Sequence, residues 1–532
     1  MLALAFPKLE LAWLAWLAPG LILLAALGQP SKTILAIGFT AGLTQNLIGF
    51  YWLLLIPKRS GAIIAWLAVG GLMAVYMAAW TWVCCRTAPF PLRKSPNELG
   101  QLSKQLAFVP WPKLALWAFT CAATWVAMEM GIARILTGFP YALGISQFKF
   151  LPLIQIASLT GVYGVSFIIL WFSISLLIAT NVALRRSAQP QFWLGQLAFP
   201  SIVLIAVLIF GFKRLRHEQF SGRELKIALI QPAIPQQVIW NPSEKTNRLA
   251  KLVQLSQTAL AERPDLLVWP EAALPDFMTR FNSSIHNAVT NLVLPQKTWM
   301  IFGANDFETR ENSGNPPQVD WFNSSFLISP NGEPVARYHK RHLVMFGEYM
   351  PLGRWFPFLN KFRSINRGFR AGDGPVPFHL TDLNVKISVL ICSEDIFPHL
   401  VREYVDVDTD FLLNLTNDGW FGDSAAQWQH AADALFRAVE NGLPLVRCTN
   451  NGLTCWIDSR GRLHEVYFPG FRDIYREGFK IAKVPLLQTG EKRTPTFYRR
   501  YGDWFGWSCV VLTLILLLKH FCRRDQNPTE SL

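Results

Sequence analysis

Apolar positions along this chain follow two regimes. Up to about residue 212 they form long, nearly unbroken runs at 10–27, 33–55, 62–84, 113–132, 162–182 and 193–212. Each is about 18–25 residues, the length at which a helix crosses a bilayer. A seventh run, 505–519, reaches that length only with Trp504 and Trp507 seated at the interface. The apolar stretch 151–161 reads as part of a longer or re-entrant element. About seven membrane spans are therefore expected.

Past Arg214-Leu215-Arg216 the pattern changes to short apolar runs alternating with amphipathic segments. Strands are predicted at 225–230, 266–269, 299–303, 322–329, 387–391, 411–415 and 445–448. A helix is predicted over 244–261, where Leu249, Leu252, Leu255 and Leu260 share a face, and another over 281–294. Such alternation implies a layered α/β domain. The chain thus divides into a helical membrane domain of about six spans (1–213), an α/β domain (214–503), and a last span with its tail (504–532). The part of the tail after Arg524 reads as disordered.

Composition and charge sharpen this picture. Of 532 residues, 51% are hydrophobic and only 16% are charged, with 21 Trp and 38 Phe. The 50 basic against 36 acidic residues give +14, but many basic residues flank the apolar runs, which favours a membrane over nucleic acid. Alternation places Arg86, Arg93, Lys94 and Lys104, then Arg185 and Arg186, then Lys519, Arg523 and Arg524 on one side. Positive-inside makes that side cytoplasmic, although Lys58, Arg59, Arg134 and Lys149 fall opposite. Residues 214–503 are then expected outside, in the periplasm of a cell with two membranes. Residues 1–28 lack a basic leader and a cleavage site, so no removable signal peptide is expected. The spans are nearly free of ionisable groups, Glu129 being the main exception with Arg134 as its candidate partner. That argues against a transporter, whose pathway normally carries several.

Candidate chemistry centres on 386–398, KISVLICSEDIFP. A β-branched run ends in Cys392 and is followed by Ser393, Glu394 and Asp395. A thiol at the end of a strand among polar groups is placed to react, whereas one buried in mid-strand is inert. The run 266–269 likewise delivers Glu271, and Lys340 lies in the stretch ARYHKRH before LVMFGEY. A carboxylate to take the thiol proton, a thiolate to attack a carbonyl and an ammonium to stabilise the oxyanion make a workable acyl-transfer set. Of the other cysteines, Cys84, Cys85, Cys121, Cys509 and Cys522 lie in or beside spans. Cys448 and Cys455 read as core residues on adjacent strands ahead of a disulfide pair. No Cys/His spacing suggests zinc.

Taken together, strand-WPE, then YxKxHLVxFGEY, then a strand ending in C-x-E resembles the nitrilase (carbon–nitrogen hydrolase) superfamily. The HLVxFGEYxPLG form, with apolar spans on both sides, resembles the bacterial apolipoprotein N-acyltransferases. Asn417-Asp418-Gly419-Trp420-Phe421-Gly422-Asp423 and Arg447-Cys448-Thr449-Asn450-Asn451-Gly452 fit the same family. The resemblance implies a polytopic membrane domain joined to a nitrilase-like α/β domain, a four-layer α-β-β-α sandwich, with Glu271, Lys340 and Cys392 as the catalytic triad. It also implies an additional first span, which is expected to be missing here or lost to a start-site choice. Glu348 and Glu394 are expected to orient Lys340 or the nucleophile turn, and Ser393, Asn417 and Trp420 to line or support the site. Ser393 stands where the family commonly has an aromatic residue, and Met345 where it often has Pro.

The reaction so implied moves an acyl chain from a membrane phospholipid, through a thioester on Cys392, to the N-terminal amine of a lipoprotein's diacylglyceryl-cysteine. It requires no metal, nucleotide or CoA. The alternative is a membrane-tethered amidase or nitrilase that passes its acyl group to water. Two loops bear on the choice. The Pro-rich segment 231–240 is too broken for a helix, and with Trp240 it is read either as a loop packed on the core or as a flap over the site. The segment 346–365 crowds Trp355, Phe356, Phe358, Leu359 and Phe362 among Arg354, Lys361 and Arg363. It is read either as an arm that enters lipid or as a loop packed on the domain. His339, His342 and His430 are expected to be structural or polar-network residues.

Overall fold

The computed structural model describes the chain except for residues 58, 90–108, 136–141, 184–189, 217–221, 240, 275–282, 311–317, 351–352, 354, 357, 359–367, 489 and 527–532. Four of the expected spans are helices long and apolar enough to cross a membrane: Gly61–Arg86, Trp111–Ile135, Val162–Ala183 and Trp193–Arg216. The other three depart from the expected form. The run 10–27 breaks into a 3-10 turn, Ala12–Trp16, and a nine-residue helix, Ala18–Ala26. The run 33–55 becomes the helix Ser31–Gly49 and a 3-10 turn, Tyr51–Leu55. The last apolar stretch, Trp504–Lys519, sits inside the longer helix Trp504–Gln526. The apolar stretch near 151–161 forms two single-turn helices, Leu151–Ile154 and Ala157–Thr160.

The α/β domain is built on two six-stranded sheets. The first contains β1 (Arg223–Gln231), β2 (Leu266–Val268), β3 (Trp299–Thr309), β4 (Val319–Ile328), β5 (Pro334–His339) and β12 (Gly478–Leu486), in the order β12-β1-β2-β3-β4-β5. The second contains β6 (Pro377–Leu380), β7 (Val385–Ile391), β8 (Phe411–Thr416), β9 (Leu445–Thr449), β10 (Cys455–Ile457) and β11 (Leu463–His464), in the order β11-β10-β9-β8-β7-β6. Alternation along β1 divides its side chains between two cores. Ile227 and Leu229 join Val389, Leu413 and Val446 between the sheets. Ala228 and Ile230 pack outward with Leu252 and Val289 of the helices Lys245–Leu260 and Ser283–Val293. On the far side, the helix Ala426–Asn441 covers the second sheet and meets the membrane segment. These are the four expected α-β-β-α layers. Covered on both faces, the central strands are mostly apolar, with Asn414 and Arg447 among their buried polar exceptions.

Every predicted strand is present. Strands β5, β6 and β10–β12 and the helix Ala426–Asn441 are additions. That helix is almost wholly buried and carries Gln427, Gln429, His430, Asp433, Arg437 and Glu440 inside. Its polar residues therefore do not mark a solvent face. The segment 231–240 holds one helical turn, Gln236–Ile239. Cys448 and Cys455 are free, buried and on adjacent strands.

Polar contacts fasten this domain to the membrane segment. Glu440 accepts from the Val162 N–H at 2.8 Å and pairs with Arg437 at 2.9 Å. Trp52 donates to Gln429 at 2.8 Å, and Gln429 in turn donates to the Pro7 carbonyl at 2.9 Å. The expected Arg134–Glu129 pair does not form. Arg134 bonds Asp503 instead, and Glu129 accepts from Trp125 at 2.5 Å and from the Leu143 N–H at 2.7 Å. The chain's return to the membrane brings Asp503 beside Arg134, while backbone and indole donors both bond one oxygen of the buried Glu129.

Candidate active site

Three strand ends converge. Glu271 follows β2, Lys340 follows β5, and Cys392 follows β7. Close backbone packing holds the first: a Cβ on Gly303 in β3 would sit 2.7 Å from the Glu271 Cα and from the Pro270 carbonyl oxygen. Cys392 turns sharply out of β7 with φ +54°, a left-handed conformation that non-glycine residues seldom adopt. The 3-10 turn Cys392–Ile396 then carries the chain away.

Glu394 holds that turn in place. Its Oε2 accepts from the Ile391 N–H at 2.8 Å, within the same turn. Its Oε1 accepts from Tyr338 Oη at 2.7 Å and from the backbone N–H groups of Arg341 and His342 at 2.8 and 3.0 Å. One fully buried carboxylate thus ties the Cys392 turn to the segment just past Lys340.

Lys340 and Glu271 form a buried charged cluster with Glu348. The Lys340 ammonium lies 2.8 Å from Glu348 Oε2 and 4.0 Å from Glu271 Oε1. Asn323 on β4 donates to Glu271 at 2.7 Å and to Glu348 at 3.0 Å, and the Val344 N–H donates to Glu348 at 2.8 Å. Lys340 is only 1% exposed. Burial works against its charge, but Glu348, Cys392 and Glu271 together hold it above the ordinary lysine range. Burial raises the Glu271 carboxyl, opposed by Lys340, and the Cys392 thiol is among its hydrogen-bonding neighbours. Burial and the Glu271 charge push the Cys392 thiol well up, so it rests protonated beside its candidate base. Such a set can move a proton from sulfur to carboxylate and hold a developing oxyanion beside an ammonium.

Beneath the turn lies a second buried network. His430 bridges Asp395 at 2.7 Å and Asp418 at 2.8 Å, and Arg447 reaches the same two carboxylates at 2.5 and 3.4 Å. Burial works against the His430 charge, but Asp395, with Asp418 beyond, raises its pKa to about 10. His430 is thus a polar-network residue. His339 stacks on Phe322 and His342 lies against Phe397.

A cavity of about 330 Å³ joins the cluster to the membrane segment. Glu271, Lys340, Cys392 and Ser393 line its polar end. Leu53, Ala65, Ala68, Val69 and Leu72 line its apolar end, on or just before the helix Arg59–Arg86. Trp420 borders it, as does Ile396, which the sequence did not single out. Asn417 also borders the cavity. It donates to Gln236 at 2.8 Å and accepts from Asn450 at 3.0 Å, which anchors the segment beside the site. Trp240 lies outside the described residues. On the segment 346–365, Trp355, Phe356 and Phe358 are 77, 51 and 59% exposed, whereas Leu359, Phe362, Arg354, Lys361 and Arg363 lie outside the described residues.

Residues 226–466 match the carbon–nitrogen hydrolase family, and residues 1–175 match the apolipoprotein N-acyltransferase N-terminal domain. The apolipoprotein N-acyltransferase of Geobacter metallireducens is 35% identical over 533 residues, covering 99% of this chain and 94% of that protein. The chain belongs to the apolipoprotein N-acyltransferase family. The relative from Rickettsia prowazekii is 32% identical and covers 85% of each chain. Among solved structures, Nit3 of Saccharomyces cerevisiae, a member of branch 10 of the nitrilase superfamily, is 17% identical with a TM-score of 0.36. It covers 51% of this chain and 92% of that one.

As an apolipoprotein N-acyltransferase family member, the protein is integral to a membrane. Sequence reasoning missed Asn323 and Asp395 as parts of the site, although a lone Asn within the predicted strand 322–329 was a usable signal.

Proposed function

We propose that this protein transfers an acyl chain from a membrane phospholipid to the N-terminal amine of the diacylglyceryl-cysteine of apolipoproteins, through a thioester on Cys392. The observation that carries the reading is the continuous cavity with Cys392 and Lys340 at one end and the membrane helix Arg59–Arg86 at the other. Ala68 and Leu72 line that cavity and are also exposed on the helix flank, where acyl chains have access.

Glu271 takes the thiol proton as sulfur attacks the ester carbonyl carbon, and Lys340 stabilises the tetrahedral oxyanion. The C–O bond to glycerol breaks, and the leaving lysophospholipid oxygen receives the proton from Glu271. The acceptor amine then attacks the thioester, gives a proton to Glu271 and leaves as an amide while the Cys392 thiol re-forms. Glu348 positions Lys340. Glu394 positions the nucleophile turn, Ser393 and Trp420 border the acyl chain, Asn417 holds the loop beside the site, and Trp240 is proposed as a substrate-positioning residue.

The domain limits follow the same reading: membrane helices over 1–213, the catalytic domain over 214–503, and a closing span from 504. The apolar runs support about seven spans in an inner membrane, and loop charge supports a catalytic domain on the periplasmic side. The test is mass spectrometry of a lipoprotein N-terminus from cells with and without this chain. A third acyl chain present only with the chain supports the proposal, and equal acylation in both overturns it.

A further inference from the structure

The nucleophile turn Cys392–Ile396 is fastened at several points within the α/β domain. Asn414 on β8 donates to the Cys392 carbonyl at 2.9 Å. Glu394 ties the turn to the segment past Lys340, and Asp395 meets His430 and Arg447. A further fastening leads towards the membrane. Arg437, on the helix Ala426–Asn441, donates through Nη1 to the Ile396 carbonyl at 2.9 Å, at the far end of the turn. The same guanidinium donates through Nη2 to Glu440 Oε1 at 3.0 Å, and its Nε lies 2.9 Å from Glu440 Oε2. Glu440 Oε1 in turn accepts from the N–H of Val162, the first residue of the span Val162–Ala183. Arg437 and Glu440 are both fully buried. A buried polar path therefore runs from a membrane span to the turn that carries Cys392.

The surroundings make that path more than a packing contact. Behind Ile396 lies an internal cavity of about 20 Å³, bordered also by Tyr76, Glu129, Tyr163, Asp433 and Arg437. That is room for a water molecule, so close packing alone does not fix the turn from behind. Ile396 also borders the catalytic cavity, so a shift of its backbone moves a wall of the site and the left-handed Cys392 at the start of the same turn. On the membrane side, Gly161 leads into the span with φ +69°, and a Cβ there would meet the Tyr498 ring at 2.8 Å. The planar guanidinium fork serves a carboxylate and a carbonyl at once, a geometry that a lysine ammonium does not reproduce.

We propose that Arg437 and Glu440 are positioning residues that register the nucleophile turn against the Val162–Ala183 span, so that Cys392 keeps a fixed depth relative to the bilayer. The inference rests on the acyl-transfer reading above, in which a donor ester held at one depth in lipid needs a thiol held to match it. Neither residue is among those described as lining the catalytic cavity, so both act through the turn.

Two readouts on the full-length protein in phospholipid nanodiscs test this. Hydrogen exchange of a peptide covering 391–397 reports the turn without any acyl chemistry, and the rate of acyl adduct formation on Cys392 reports its use. Arg437→Lys should speed that exchange and slow adduct formation by about a hundredfold at saturating phospholipid, with the half-saturating concentration little changed. Gly161→Ala, which alters the span side alone, should shift both readouts in the same direction. Gln155→Leu loses buried bonds to the Leu151 and Arg460 carbonyls elsewhere on the junction and should leave both readouts unchanged. Should Arg437→Lys unfold, Arg437→Met/Glu440→Leu replaces the pair by apolar groups of similar volume, a change that buried ion pairs commonly tolerate, and should give the same two shifts. Unchanged exchange at 391–397 in the folded variants would overturn the proposal, as would an equal loss of adduct rate in Gln155→Leu. A wild type that forms no adduct, with exchange still responding to Arg437→Lys, would overturn the acyl-transfer reading and leave the tether standing.

Discussion

Replacing Glu394 by Gln alters a single atom of a residue that makes no bond to substrate in the proposed mechanism. Its carboxylate accepts four bonds of 2.7–3.0 Å, from Tyr338, Arg341, His342 and Ile391. An amide must turn one oxygen into a donor. The less costly orientation keeps the carbonyl on the three donors of Oε1 and sets NH₂ against the Ile391 N–H. Leaving that buried N–H unpaired costs about 1–3 kcal/mol, and the remaining bonds weaken from charge-assisted to neutral. The sum is about 3–5 kcal/mol, or a fall in Tm of about 5–10 °C for a domain of this size. Because Ile391 directly precedes Cys392, the left-handed turn should relax as well, so acyl-adduct formation should slow more than ground-state phospholipid binding weakens. Thermal unfolding of the detergent-solubilised full chain, followed beside adduct formation under identical conditions, measures both. Glu394→Ala, which orphans the three backbone donors and leaves Tyr338 only Tyr404, should not fold. A Glu394→Gln protein with unchanged Tm and unchanged adduct rate would refute the reasoning that this carboxylate holds the turn.

Three further outcomes are expected. Gly303→Ala drives a methyl into the backbone of Pro270 and Glu271, so it should cost about 1–3 kcal/mol and slow acylation by displacing the base, read as kcat against melting temperature. The His430 pKa is raised from 6.5 to about 10. Its contribution is therefore complete below pH 6.5 and lost as pH rises through 10, and Tm should fall over that window in wild type but less steeply in His430→Gln; parallel curves would exclude the His430 charge as the cause. Replacing the exposed Trp355, Phe356 and Phe358 together by Ser should impair use of vesicle phospholipid while leaving Tm unchanged, each aromatic contributing about 1.5–3 kcal/mol if it enters lipid; unchanged vesicle activity would show that the arm has no part in lipid capture.

The parts of this protein that were legible in its sequence are those whose signal is local. Cys392 and Glu271 stood out because each closes an apolar β run with a polar residue, and that pattern survives without any knowledge of neighbours. The membrane helices near 62–84, 113–132, 162–182 and 193–212 were legible because length and apolarity suffice. What escaped depends on distant partners. Gly478–Leu486 is a strand only because it pairs antiparallel with Arg223–Gln231 at the other end of the domain. Arg134 had Glu129 as its visible neighbour, yet Asp503 reaches it from 369 residues away. Asn323 gains meaning only once Glu271 and Glu348 are known to share its amide, and Asp395 only once His430 and Arg447 are seen to converge on it. The helix Ala426–Asn441 was hidden because its polar groups are buried in such networks instead of facing water.

The central claim is that Cys392 carries the acyl group. Purified protein incubated with phospholipid and no acceptor, then digested and analysed by mass spectrometry, tests it directly, because a two-step transfer accumulates its covalent intermediate when the second substrate is withheld. The account predicts one acyl mass on the peptide containing Cys392, removable by neutral hydroxylamine. That adduct should be absent from Cys392→Ala and strongly reduced in Glu271→Gln and Lys340→Met, while Cys448→Ala and Cys455→Ala still acylate. An adduct on Cys448 or Cys455, or full turnover by Cys392→Ala, would contradict it.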